Sequence, residues 1–144
     1  MPTRSARTAW NGTLMEGSGQ VELSSSKVGT YEVSFPKRAA EEADGTTSPE
    51  ELIAAAHSAC YSMALSAEIA KAGGTPQALE VSADVTLGQK DGAPTITGIA
   101  LTVRGEVEGL DAAGFEQAAQ AAKVGCPVSK ALAAVDITLD AALD

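Results

Sequence analysis

The stretch from Ser48 to the glycine pair Gly73-Gly74 leaves the chain few ways to fold. Ser48-Pro49-Glu50-Glu51 reads as a helix start, with Ser48 as N-cap, Pro49 at the first helical position and Glu51 closing a capping box. The helix is predicted to run to about Ala72, where the two glycines stop it. Its middle (Leu52, Ile53, Ala54, Ala55, Ala56, Ala59, Cys60, Met63, Ala64, Leu65) is apolar on nearly every face, the mark of a central helix surrounded by protein. The rest of the 144 residues must therefore be arranged around it. Aromatic residues make up only 3% of the chain, so that surround is built from Ala, Val, Leu and Ile. Such a core gains little per residue, and association with a second copy is the expected source of further burial.

The flanking segments alternate as strands. Ala6, Thr8 and Trp10 precede the hairpin signal Asn11-Gly12, and Val21 with Leu23, then Tyr31, Val33 and Phe35, complete three antiparallel strands. Residues 36–48 have no apolar period and read as a mobile surface loop containing Lys37 and Arg38. After the helix, Leu79, Val81, Ala83, Val85 and Leu87 alternate up to the turn Lys90-Asp91-Gly92, and Ile99, Leu101, Val103 and Val107 return as its partner. Ile96 is out of phase with Ile99, so Gly98 marks a bulge. Asp111 caps a helix that buries Phe115, Ala118, Ala119 and Ala122 and ends at Gly125. Cys126-Pro127 opens a short helix through Ala134, and Val135 to Ala141 alternate as a last strand. The order is βββ, α, ββ, αα, β: one α+β domain over residues 1–144, with mostly antiparallel pairing.

A net charge of −9 with no basic cluster excludes a nucleic-acid backbone or an anionic membrane as partner. No secretory signal or membrane span is legible, and a cytoplasmic location is expected. In that reducing compartment the two cysteines are inert thiols, metal ligands or redox groups rather than a stapling disulfide. No GxGxxG, GxxxxGK[ST] or GxSxG occurs, and no CxxC or HExxH spacing supports zinc. The chemistry therefore rests on a few residues. Cys60 lies in the central helix, one turn after His57, the only histidine, which is either a hydrogen-bonded core residue or half of a Cys-His pair. Cys126 stands at a helix N-terminus, where the dipole favours a thiolate. By that argument alone Cys126 is the more reactive thiol. Glu50, unlike Glu51, has no capping duty and is free to hold a cation, for which Arg38 and Lys37 are the candidates.

Taken together, SPEELIAAAHSACYSMALS, the later GCPVSKAL and the closing DITLD strand resemble the OsmC branch of the OsmC/Ohr family of thiol peroxidases, over essentially the whole chain. The resemblance implies an intertwined homodimer in which curved sheets enclose two central helices. It implies reduction of hydroperoxides, organic ones especially, without a cofactor and with a dithiol such as a dihydrolipoyl group as reductant. By resemblance Cys60 is the peroxidatic thiol, Cys126 the resolving one, and the family's Arg and Glu fall on Arg38 and Glu50. Glu50 and Cys60 are ten positions apart on one helix, about 15 Å along its axis, so a peroxide served by both requires Glu50 from a second chain. The competing reading is a dimeric binding or stress protein with inert cysteines.

Overall fold

Three short strands open the chain: β1 (Arg7–Asn11), β2 (Ser18–Glu22) and β3 (Thr30–Val33), paired antiparallel in that order. The computed structural model describes residues 1–144, which divide into two units, Met1–Leu52 and Ile53–Asp144. In the first unit, Gly12 takes a positive φ of 97° directly after β1. The connection is longer than a two-residue turn, however, and reaches Gly17, whose N–H donates to the Thr13 carbonyl at 2.8 Å. Leu23 and Phe35, expected in strands, lie just outside them.

The segment predicted as a featureless loop contains one helical turn, α1 (Phe35–Arg38). Ser34 caps it by accepting the Lys37 N–H at 3.3 Å, and Pro36 sits in its first turn, where its fixed φ suits a helix start. A single turn leaves no periodicity to read. The rest of the segment is tied by the Lys37–Asp44 ion pair at 2.9 Å and by the Thr47 N–H to the Glu32 carbonyl at 3.1 Å.

α2 (Pro49–Lys71) begins where the capping signal places it, with the Glu51 N–H donating to Ser48 Oγ at 3.1 Å. The Glu51 carboxylate accepts the Thr47 hydroxyl instead of closing a capping box. His57, Tyr61, Leu65 and Ile69 form a fully buried stripe on the helix. Ala56, Ala59, Met63 and Ala67 form an exposed one, with Met63 at 72%. Within one chain, then, the helix is covered on one side and not all round as its composition suggests.

In the second unit, β4 (Thr75–Lys90) and β5 (Ala93–Glu108) form a long antiparallel hairpin. Asp91 and Gly92 turn it with φ of 52° and 78°. The register slips between Thr86, opposite Gly98, and Leu87, opposite Ile96, which leaves Thr97 as the extra residue of the predicted bulge. A second slip lies between Pro76 and Ala78. α3 (Ala112–Gly125) is capped by Asp111, whose Oδ1 accepts the Gly114 N–H at 2.8 Å, and it buries Phe115, Ala118, Ala119 and Ala122 as expected. α4 (Pro127–Ala131) is shorter than predicted. β6 (Asp136–Leu143) then pairs parallel to β5, so α3 and α4 form a crossover and the sheet runs β4-β5-β6. Against this mixed sheet pack Tyr61, Leu65 and Ile69 from α2 and Phe115 from α3, with Ile99, Leu101 and Val103 of β5 at the centre. Each large side chain so buried contributes roughly 1.5–3 kcal/mol. The architecture is α+β.

Candidate active site

In the first unit, α1 and the start of α2 bring Arg38 to Glu50. Arg38 Nε donates to Glu50 Oε1 at 2.8 Å and a terminal guanidinium nitrogen donates to Oε2 at 2.9 Å, a two-pronged pair. Glu50 is buried, which leaves the carboxylate little freedom to release the fork, and the Arg38 side chain remains 35% exposed. Glu50 raises the Arg38 guanidinium's pKa through that hydrogen bond, against the opposing effect of burial. Lys37, the other candidate cation, is spent on Asp44 at the surface. Beside the pair lies an open pocket of about 310 Å³ lined by Trp10, Leu14, Val33, Ser34, Phe35, Arg38 and Pro49, mostly apolar, with Ser34 and the guanidinium as its polar groups.

In the second unit, α2 and α4 bring together Cys60 and Cys126, both free thiols, from distant parts of the chain. Cys60 is partly exposed and Cys126 is fully buried within the core. The two perturb each other. Burial pushes the Cys60 thiol up, partly opposed by the Val128 N–H, and the neighbouring Cys126 sulfur holds its proton further. Burial acts on Cys126 in the same sense but is outweighed: the Ser129 N–H, the Cys60 thiol, the Ser129 hydroxyl and the Val128 N–H together bring it below its ordinary value. Cys126 makes no cap hydrogen bond of full geometry, so these groups act by proximity. In an isolated chain Cys60 is thus the proton holder and Cys126 the sulfur inclined to be an anion.

His57 does not pair with a cysteine. Its Nε2 lies 2.8 Å from Ser129 Oγ, and both residues are buried. The other ring nitrogen, Nδ1, is buried with no partner. Burial lowers the pKa of His57, which keeps the ring neutral near pH 7. Ser129 was not singled out from the sequence; its position three residues after Cys126 in a helix start was the available signal. The predicted residues therefore meet as two pairs, Arg38 with Glu50 in the first unit and Cys60 with Cys126 in the second.

Comparison with known proteins bears on what these pairs do. Residues 42–140 match the family model described as OsmC-like protein. The chain is 44% identical over 131 residues to Peroxiredoxin OsmC of Escherichia coli (strain K12), covering 91% of this chain and 90% of that protein. It is 33% identical over 122 residues to the organic hydroperoxide resistance protein OhrA of Bacillus subtilis (strain 168), covering 83% and 85%. Among solved structures, an organic hydroperoxide resistance protein from Elizabethkingia anophelis superposes with a TM-score of 0.79 at 25% identity, over 100% of this chain and 98% of that one.

Proposed function

The chain belongs to the OsmC-like family, and from that membership we propose that it is a two-cysteine thiol peroxidase that reduces organic hydroperoxides to alcohols. The observation that carries this reading is the meeting of two free cysteines, the partly exposed Cys60 on α2 and the buried Cys126 at the N-cap of α4. The difference in exposure supports the roles given to them. A peroxide can reach Cys60, whereas the buried Cys126 can act only on what Cys60 becomes. The Cys60 thiolate attacks the distal peroxide oxygen, the O–O bond breaks, and the alkoxide leaves and takes a proton to become the alcohol. Cys60 is left as a sulfenic acid. Cys126 then attacks that sulfur, the S–S bond forms, and the S–O bond breaks with loss of water. A dithiol of the dihydrolipoyl class returns the disulfide to two thiols, and a reducing cytoplasm keeps them free between turnovers.

The first step needs a cation, because burial holds the Cys60 proton in place. The clamped Arg38 guanidinium is suited to stabilise both the thiolate and the departing alkoxide, with Glu50 fixing its orientation. We assign that cation to the Arg38 and Glu50 of a second chain, two α2 helices packing antiparallel about a two-fold axis. The exposed stripe Ala56, Ala59, Met63 and Ala67 supports this, since its three alanines let two helices approach closely and the large apolar Met63 would gain burial there. The first unit also leaves Trp10 and Tyr31 of its sheet 42% exposed, apolar surface that a partner would cover. The apolar pocket beside Arg38 suits a peroxide with a hydrocarbon tail.

The test is thiol counting and turnover. Cumene hydroperoxide should remove both free thiols of each chain, and a dithiol should restore them. Cys60→Ser should consume no peroxide, while Cys126→Ser should undergo one oxidation and stop at the Cys60 sulfenic acid. Retention of both thiols under excess peroxide would instead mark a passive dimer. Turnover in Cys60→Ser but not in Cys126→Ser would reverse the assigned roles.

A further inference from the structure

Neither cysteine uses the buried bond between His57 and Ser129, yet that bond ties the two segments that carry them. His57 lies one helical turn before Cys60 on α2, and Ser129 lies three residues after Cys126 at the start of α4. The Lys130 N–H donates to the Cys126 carbonyl at 3.0 Å, so Cys126 and Ser129 share one continuous turn. The pair Nε2–Oγ, 2.8 Å apart, joins two buried residues far apart in sequence. We propose that His57 and Ser129 are positioning residues for the second chemical step: they hold Cys126 opposite Cys60 and aim the Ser129 hydroxyl at the Cys126 sulfur. This rests on the peroxidase reading above.

The orphaned ring nitrogen fixes the direction of the hydrogen bonds. Nδ1 of His57 is buried without a partner. A neutral imidazole must leave there either an N–H or a bare lone pair, and orphaned buried N–H groups are the rarer outcome. The proton accordingly sits on Nε2, which donates to Ser129 Oγ. The serine oxygen is thereby occupied as an acceptor, and its own hydrogen is free to turn to the sulfur. The groups facing Cys126 are Cys60 and Tyr61 from α2 and Ser129 with the Val128 N–H from α4. Tyr61 is already committed, its hydroxyl donating to the Ala119 carbonyl at 2.9 Å. Ser129 is therefore the side-chain hydroxyl left to meet the thiolate. When Cys126 gives up its proton and attacks the sulfenic sulfur of Cys60, the S–S bond forms as the S–O bond breaks. The departing hydroxide takes up one proton and leaves as water, so the proton lost by Cys126 is balanced.

The experiment separates the two steps. Reduced protein is given one equivalent of cumene hydroperoxide, and sulfenic acid appearance is followed by dimedone trapping and disulfide appearance by non-reducing mass analysis. The Cys126 titration is read separately, from alkylation rate against pH in a Cys60→Ser background. Ser129→Ala should slow disulfide formation at least about tenfold, as expected for loss of a hydrogen bond to an anion. It should raise the pH at which Cys126 alkylates and change the sulfenic acid rate less than about twofold by the same reasoning. His57→Gln should act in the same direction, and Ser129→Thr should restore both readouts. Unchanged disulfide rate and unchanged Cys126 titration in Ser129→Ala would overturn the proposal. Equal slowing of both steps would overturn it too, by reducing the pair to general support of the fold. If wild-type protein consumed no peroxide, the peroxidase reading would fail, while the Cys126 titration would still judge the placement of Ser129.

Discussion

His57 gives one residue a measurable effect on the whole equilibrium. In the folded chain burial holds its pKa below the ordinary value, whereas the unfolded chain returns it to about 6.5. Over the interval between those two values the unfolded state binds the extra proton. Stability is therefore complete above about pH 6.5 and is lost as the pH falls towards the folded pKa. The urea midpoint of wild type should drop between pH 7 and 5.5, and His57→Gln should flatten that drop while lowering the plateau. A wild-type midpoint that is level over this range would show that the ring is solvated in the folded chain, and one that rises as the pH falls would show it paired with an acid. Much at this scale was legible in the sequence. Cys60, Cys126 and Glu50 were named from motifs and Arg38 was chosen over Lys37 only through the family resemblance, and the structure brings them together as two pairs. The bond from His57 to Ser129 was not legible, because a single hydroxyl far along the chain carries no pattern that points back to a helix.

Elements were legible in proportion to their length. The long hairpin of β4 and β5 announces itself by alternation over many residues, down to the bulge beside Gly98. α1 does not, since four residues make no period, although Ser34 and Pro36 were its local signal. Nor could alternation tell that β6 runs parallel to β5, because a period of two reads the same in either direction. How tightly the elements meet is tested at Gly105 on β5. A Cβ built there would stand 3.0 Å from Phe115 Cε1 and 3.1 Å from Leu79 Cδ2. Phe115 is fully buried on α3 and cannot step aside without disturbing its neighbours. Gly105→Ala should accordingly cost about 1–3 kcal/mol of stability in chemical denaturation. A loss below about 0.5 kcal/mol would mean that the ring shifts freely over the sheet.

At the scale of the whole molecule the strongest signal is what one chain leaves uncovered. Its longest helix exposes Ala56, Ala59, Met63 and Ala67 as one apolar stripe, small but for Met63. Ala59→Glu places a charge on that stripe, and desolvating an unpaired carboxylate costs several kcal/mol, enough to undo a helix contact. Sedimentation should show wild type as a dimer and this variant as a monomer with unchanged helix content. Peroxide turnover should vanish with the dimer, since Cys60 would have lost the second chain's Arg38. A variant that stays dimeric would put the interface elsewhere.

The parallel placement of β6 also orders events in time. A hairpin such as β4–β5 closes a short loop and forms early, but β6 can join β5 only after the whole crossover has been drawn in. Cys126 lies on that crossover, so during refolding or synthesis the chain owns a helix with a lone thiol well before it owns a thiol pair. On the two-cysteine reading proposed above, a Cys60 oxidised before the crossover closes would have no Cys126 to condense with and would depend on an external thiol until the last strand is in place.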